Sequence, residues 1–374
     1  MKKKNKFTAV FVAFALAFSL TALTACGNSS LQLETYAAAI DFHTADQLSF
    51  VQGDYAAIVA YADGTSEKSR PEGILLRWSD SSDCTEYTVT VSEYADYSDA
   101  LTYVVNDREV EVYNLKVATE YHWKVSSSDG VAEGVFTTSD VCPRNLYVDG
   151  VTNVRDMGGY MTSYGRRIRQ GLLYRGARLN KSDVNDDGYA TAPETFVPEI
   201  TEKGIDVFEN QLKIKSEIDL RLLNRNGYPA DKAAESAVPG VENYIRIPMN
   251  GLSAIDDNAK MIKQFMEYIA DESHYPVYYH CNIGTDRTGM MAYLIGALCG
   301  MSEDDLMKDY LFSNFGNIGE AKTPDNSKNK YIRQLAAGGD FAGDTLRERV
   351  ENYFLSIGVS AETYTSVRNI LLGV

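Results

Sequence analysis

The chain has 374 residues, 44% of them hydrophobic, with scattered glycine and proline. That is enough for two domains with proper cores and fits neither a collagen-like nor a disordered chain. The formal net charge of −16 excludes a general nucleic-acid binder, and any anionic ligand must be caught by a local positive site working against the global field.

The first element is "MKKKNKFTAVFVAFALAFSLTALTAC", with four lysines ahead of an apolar run that ends in Leu23, Thr24, Ala25 and Cys26. This is the grammar of a secretory signal. The small residues before Cys26 resemble the lipobox of bacterial lipoproteins, in which the cysteine becomes the first mature residue and carries the lipid. On that reading residues 1–26 are a signal peptide, Cys26 is the lipidation site, and the protein is extracytoplasmic and lipid-anchored to a bacterial cell membrane. An ordinary cleaved signal or an uncleaved membrane helix is the alternative. Loss of the signal removes four lysines and no acid, taking the charge from −16 to −20. No later apolar run is long enough to span a bilayer.

Residues 27–47 are polar and Ala-rich and read as a tether. Period-two alternation follows in "GILLRW" (73–78), "EYTVTVSE", "ALTYVV", "EVEVYNL", "EYHWKVSS" and "EGVFTT", separated by Asp, Ser, Asn and Gly. Short strands at this spacing predict a β-sandwich over 48–140. "LKVATEYHWKV" (115–125) resembles the fibronectin type III domain, which implies Tyr121 as the corner tyrosine and Trp78 as the core tryptophan. Such a module carries no chemistry of its own and is left for contact with protein or carbohydrate.

From about residue 143 strands and helices alternate. "VYYHC" reads as a buried strand and "EIDLRLL" as another, while "RTGMMAYLIGALCG" reads as a buried helix stopped by Gly300. "SEDDLMKDYLFSN" has a Ser302 cap followed by acids in its first turn. "DTLRERVENYFLSIG" and "SAETYTSVRNILLG" are amphipathic helices. The pattern predicts an α/β domain over 145–374, with ligands bound at the carboxyl ends of the strands.

Within it, "YYHCNIGTDRTG" (278–289) places Cys281 at a strand end just before a helix, where backbone N–H groups converge and the helix dipole favours a thiolate. Gly284 lets the backbone curl, so that the amides from Asn282 through Ile283, Gly284, Thr285 and Asp286 to Arg287 can ring a tetrahedral anion. Arg287 returns to the same point with a planar fork suited to two phosphate oxygens. A cradle with a nucleophile at its floor is the result.

Cys281, Arg287, His280 before and Thr288-Gly289 after resemble the signature of the protein tyrosine phosphatase superfamily. "NVRDMGGY" (153–160), "LYRGARL" (173–179) and "EIDLR" (217–221) are similar to upstream markers of its bacterial and fungal subgroup ending in "HC-x-x-G-K-D-R-T-G". The resemblance implies a tyrosine phosphatase-like parallel-type sheet flanked by helices. It also implies phosphomonoester hydrolysis through a phosphocysteine, with Thr288 bonded to the sulfur, His280 supporting the loop and no cofactor for catalysis. Here Thr285 stands where the subgroup has lysine, which favours phosphotyrosine-like monoesters over multiply phosphorylated inositols. An inositol phosphate or phosphoinositide phosphatase of the same fold and a non-catalytic binding protein are the alternatives. Expected partners are a phosphorylated protein or small phosphomonoester and, through the anchor, the membrane.

A general acid must reach the leaving oxygen, and no Trp-Pro-Asp tripeptide occurs. Asp286, inside the loop, is preferred over the Asp256-Asp257 pair, and Asp219 reads as a structural partner for a basic group. "DVNDDGYATAPE" meets the spacing of a calcium loop through Asp183, Asn185, Asp187, Tyr189 and Glu194; the competing reading is a solvated acidic insertion with a turn. Cys84 and Cys142 fall at opposite poles of the expected sandwich and are predicted to be unbridged, and Cys299 to be packing.

Overall fold

The computed structural model describes residues 31–182, 196–221, 235–250, 255–324 and 341–374. The N-terminal unit is all-β. One sheet is ordered β1 (Leu31–Leu33), β2 (Ile74–Asp80), β5 (Glu109–Val112); the other is ordered β4 (Leu101–Val105), β3 (Tyr87–Ser92), β6 (Glu120–Ser127), β7 (Gly130–Thr137), and all pairings are antiparallel. Alternate residues of both sheets face one core that holds Trp78, Trp123, Tyr121 and Phe136, as period-two strands require. Tyr121 Oη accepts from the amide of Lys116 at 2.8 Å, pinning the turn five residues upstream.

The tether reading of residues 27–47 is corrected over its described part. β1 pairs with β2, Phe42 and His43 are buried, and Thr44 closes a capping box on helix α1 (Ala45–Gln52). A three-residue strand and isolated buried side chains give no periodicity long enough to read from sequence. Residues 42–72 also do not stop at the β unit. Phe50, Ile58 and Ala62 share a core with Tyr310, Leu311, Phe312 and Phe315 of the α/β unit. Arg144, buried, joins the units again: it donates to the carbonyls of Asn114 and Leu115 and pairs with Asp156 at 2.5 Å.

The second unit is built on a six-stranded sheet that includes β8 (Arg144–Asn145), β9 (Arg155–Asp156) and β10 (Leu173–Gly176). A side ladder of β11 (Asn180–Ser182) and β12 (Phe196–Pro198) precedes the short helix α2 (Glu202–Asp206). The remaining strands of the main sheet are β13 (Ser216–Asp219), β14 (Asn243–Arg246) and β15 (Val277–His280), and its order is β14-β13-β15-β10-β9-β8. β14, β13, β15 and β10 are parallel, whereas β9 and β8 add antiparallel at one edge. The fold is thus mixed α/β.

Alternate residues of the central strands go to opposite faces. Leu173, Val277 and Tyr279 join a core with α3 (Ala259–Ile269), α4 (Asp286–Leu298) and the two C-terminal helices, while Tyr174 and Tyr278 join Leu146, Val148 and Phe208 on the other side. With both faces covered, β15 is buried throughout, which is why its sequence shows no polar–apolar alternation; its one charged member, His280, is paired with Glu217. Among the described residues no helix is long and apolar enough to cross a membrane.

Cys84 and Cys142 are both free: Cys84 sits beside Ser128 and Asp129, and Cys142 touches the cores of both units. Cys299 is buried at the end of α4, and burial pushes its thiol up to about 12. Cys26 and the residues read as a calcium loop, Asp183, Asn185, Asp187, Tyr189 and Glu194, lie outside the described residues. Among the described residues no cluster of His, Cys, Asp and Glu could hold a metal ion.

Candidate active site

β15 delivers Cys281 to the carboxyl edge of the sheet and α4 begins at Asp286, so residues 281–285 form the turn between them. Gly284 takes φ +71°, and an added Cβ would lie 2.5 Å from the carbonyl carbon of Gly176. Only glycine satisfies both the left-handed backbone and that approach to β10.

Four carbonyls of this turn are held from outside it. His280 Nδ1 lies 3.1 Å from the carbonyl oxygen of Cys281, and the amide of Arg178 donates to that of Asn282 at 3.2 Å. Asn153 Nδ2 donates to the oxygen of Ile283 at 3.0 Å, and Arg175 Nη2 to that of Gly284 at 2.8 Å. In a trans peptide the following N–H points the opposite way. The amides of Asn282, Ile283, Gly284 and Thr285 therefore turn into the concavity, and among the described residues none of the four has a hydrogen-bond partner. Unpartnered amides on successive residues are the arrangement that suits an oxyanion.

The groups holding the carbonyls are themselves fixed. Arg155 and Arg175, both fully buried, share Asp309 on α5 (Glu303–Phe312), whose carboxylate also accepts from Tyr160 Oη at 3.3 Å. Arg155 also donates to Asn153 Oδ1. Burial alone would raise the carboxyl of Asp309, but the two guanidiniums hold it below the usual carboxylate range. Two buried guanidiniums thus converge on one buried carboxylate beneath the loop, where charges are weakly screened.

At the floor, Cys281 is buried and burial pushes its thiol up. The charge of Arg287 and the hydroxyl and amide of Thr288 outweigh that and bring it below the ordinary thiol value. Arg287 is anchored by Nη1 to the carbonyl of Leu220 at 3.3 Å, and its buried Nε has no hydrogen-bond partner among the described residues. A guanidinium edge without a partner, on the same turn as unpartnered amides, has the chemistry to take two oxygens of an oxyanion.

His280 lies behind the loop, with Nε2 2.8 Å from Glu217 Oε1; burial opposes its charge, but Asp219 and Glu217 raise its pKa. A buried imidazole so held supports the loop and is not placed as a base. Asp219 pairs with Arg221 at 2.7 Å and accepts from Tyr244 Oη at 2.8 Å, as its reading as a structural partner implies. Asp286 occupies the first turn of α4, with Oδ1 3.2 Å from Lys322 Nζ. Asp257 is exposed on a 3-10 turn ahead of α3, and the side chain of Asp256 lies outside the described residues.

Sequence reasoning missed Asp309, Glu217 and Lys322. Asp309 could have been found, because on a helix it falls three residues after Leu306 and beside Tyr310, and a carboxylate on an apolar face needs a cation.

A model described as the tyrosine phosphatase family matches residues 146–192 and 196–373. The chain belongs to the tyrosine phosphatase family. A curated tyrosine-protein phosphatase of Cupriavidus necator is 28% identical over 203 residues, 46% of this chain and 64% of that relative. This chain therefore matches less than two thirds of the relative's length. Among solved structures, the core catalytic domain of the S. cerevisiae PP-IP phosphatase SIW14 in complex with citrate is 15% identical, covering 49% of this chain and 87% of that one, with a TM-score of 0.29. P. aeruginosa TpbA, solved in complex with pTyr, is 14% identical, covering 51% and 88%, with a TM-score of 0.31.

Proposed function

We propose that the protein is a cysteine-dependent phosphomonoester hydrolase acting on phosphotyrosine-like monoesters. The observation that carries this reading is the convergence on one strand end of a thiol with lowered pKa, four inward amides and the open edge of Arg287. The Cys281 thiolate attacks phosphorus, and the S–P bond forms as the ester P–O bond breaks. The loop amides and Arg287 hold the equatorial oxygens. The carboxylic acid of Asp286 gives its proton to the leaving oxygen. Water then attacks phosphorus, loses a proton to the Asp286 carboxylate and displaces the Cys281 thiolate, which restores the enzyme and releases phosphate.

Thr285 supports monoesters over polyphosphorylated inositols, because the loop itself offers one side-chain cation, Arg287. The two-sheet N-terminal unit with its Tyr121 corner supports a fibronectin type III-like module. The lipobox-like residues ending at Cys26 support an extracytoplasmic lipoprotein, and the Asp183 to Glu194 spacing supports a structural calcium loop. Phosphate release from phosphotyrosine peptide, phosphoserine peptide, phosphoinositide and phytate tests the substrate class. Preference for the phosphotyrosine peptide is expected, and preference for phytate would overturn it.

A further inference from the structure

A cation outside the loop meets its aspartate. Lys322 is fully buried, and its Nζ lies 3.2 Å from Asp286 Oδ1 and 2.9 Å from Glu320 Oε1. Lysine is almost never fully buried unless paired, and this one is held by a built frame. Asn314 grips its backbone on both sides, accepting from the Lys322 amide and donating to its carbonyl, each at 2.7 Å. The same stretch is clamped from Gly64 of the N-terminal unit and from Thr152 of the α/β unit. Gly64 donates to the Asn314 carbonyl at 2.9 Å and accepts from the amides of Ile318 and Gly319 at 2.9 and 2.8 Å, and Thr152 Oγ1 accepts from the amide of Asn317 at 3.1 Å.

We infer that Lys322 is a positioning residue for Asp286. The inference rests on the proposed role of Asp286 as the acid. The ammonium lies in ion-pair range of Oδ1 without an aligned hydrogen bond to it, which leaves Oδ2 to carry the proton. Once that proton has passed to the leaving oxygen, the ammonium stabilises the carboxylate that forms. Because residue 285 is threonine, this charge reaches the loop from a segment remote in sequence. The other charged or titratable groups that bear on the pair are Arg287, next in the chain to Asp286, the Cys281 sulfur, and Glu320 on the far side of the ammonium.

The test compares the full chain with Lys322→Met, Lys322→Arg, Asp286→Asn and the Lys322→Met/Asp286→Asn double variant on two aryl phosphates, one with a poor and one with a good leaving group. Lys322→Met should slow the poor ester about 10-fold or more and the good one less than about 3-fold, a part of what a general acid supplies. Lys322→Arg should restore most of the loss, and the double variant should be no slower on the poor ester than Asp286→Asn. Equal slowing of both esters, or full additivity with Asp286→Asn, would overturn the role.

The two failures are separable. If Asp286→Asn shows no leaving-group dependence, the acid assignment falls and takes the Lys322 role with it. If Asp286→Asn shows it and Lys322→Met does not, the acid stands and the positioning role falls. Should Lys322→Met not fold, Lys322→Gln carries the test on the same two esters: selective slowing of the poor ester is expected, and equal slowing of both would refute the role.

Discussion

Arg175 donates to the carbonyl oxygen of Gly284 at 2.8 Å, so a side chain on β10 sets the orientation of a peptide in the turn between Cys281 and α4. Its other terminal nitrogen is taken by Asp309, which also holds Arg155. Asp309→Asn leaves two buried guanidiniums without their carboxylate and should destabilise the protein by about 3–5 kcal/mol, as breaking a buried pair does. Urea unfolding checks this; a loss under about 1 kcal/mol would mean that water reaches the site.

Gly284→Ala brings the opposite signature. Its Cβ would press on the Gly176 carbonyl carbon at 2.5 Å from a left-handed backbone, so the turn must move and its amides lose their aim. Loss of one preorganised donor is worth about 10²–10³ in rate, so a fall in kcat of at least that size is expected. Isothermal titration with orthovanadate should show binding weakened in parallel. Unchanged binding would show that the amides do not hold the anion.

The thiol gives a pH prediction. With its pKa below the ordinary value, Cys281 is thiolate in the folded protein at pH values where a free cysteine is still protonated. This acid's folded pKa is lowered, so its contribution to stability is present above the unfolded thiol value and is lost as pH falls through the folded one. Inactivation by iodoacetate should therefore titrate below the free-thiol midpoint, and Arg287→Met should move that midpoint upward. An unmoved midpoint would assign the shift to something other than the guanidinium.

Much of the site was legible because the loop is contiguous: Cys281, Gly284 and Arg287 act within seven residues, and each residue type has one chemistry there. Asn153, Arg155 and Arg175 stood out as motif members, but their purpose was not readable, because Asp309 and the carbonyls they hold arrive through tertiary packing. Lys322 was invisible for the same reason, lying far along the chain from Asp286. In the fold, the alternating strands and the buried β15 could be read from periodicity, whereas β1 is too short to show one. The tether was misread because Phe42, His43 and Phe50 bury themselves singly against partners that are distant in sequence.

That packing has a consequence for dissection of the chain. Ser69 Oγ accepts from the amide of Asn153 at 2.9 Å, and Phe50 and Ile58 cover Phe312 and Phe315. A fragment beginning at residue 145 would expose that apolar surface and free Asn153, and it should express poorly or bind a hydrophobic dye. A fragment with full activity and a melting temperature equal to that of the whole protein would show the two units to be independent.

The most direct test of the proposed chemistry is the Cys281→Ser variant, assayed for turnover of a phosphotyrosine peptide and for binding of the same peptide by titration. The expected result is turnover at background with binding kept within a few-fold of the parent, because serine preserves the cradle while removing the thiolate. Turnover above a trace, in a preparation whose substitution is verified by mass, would contradict the phosphocysteine mechanism.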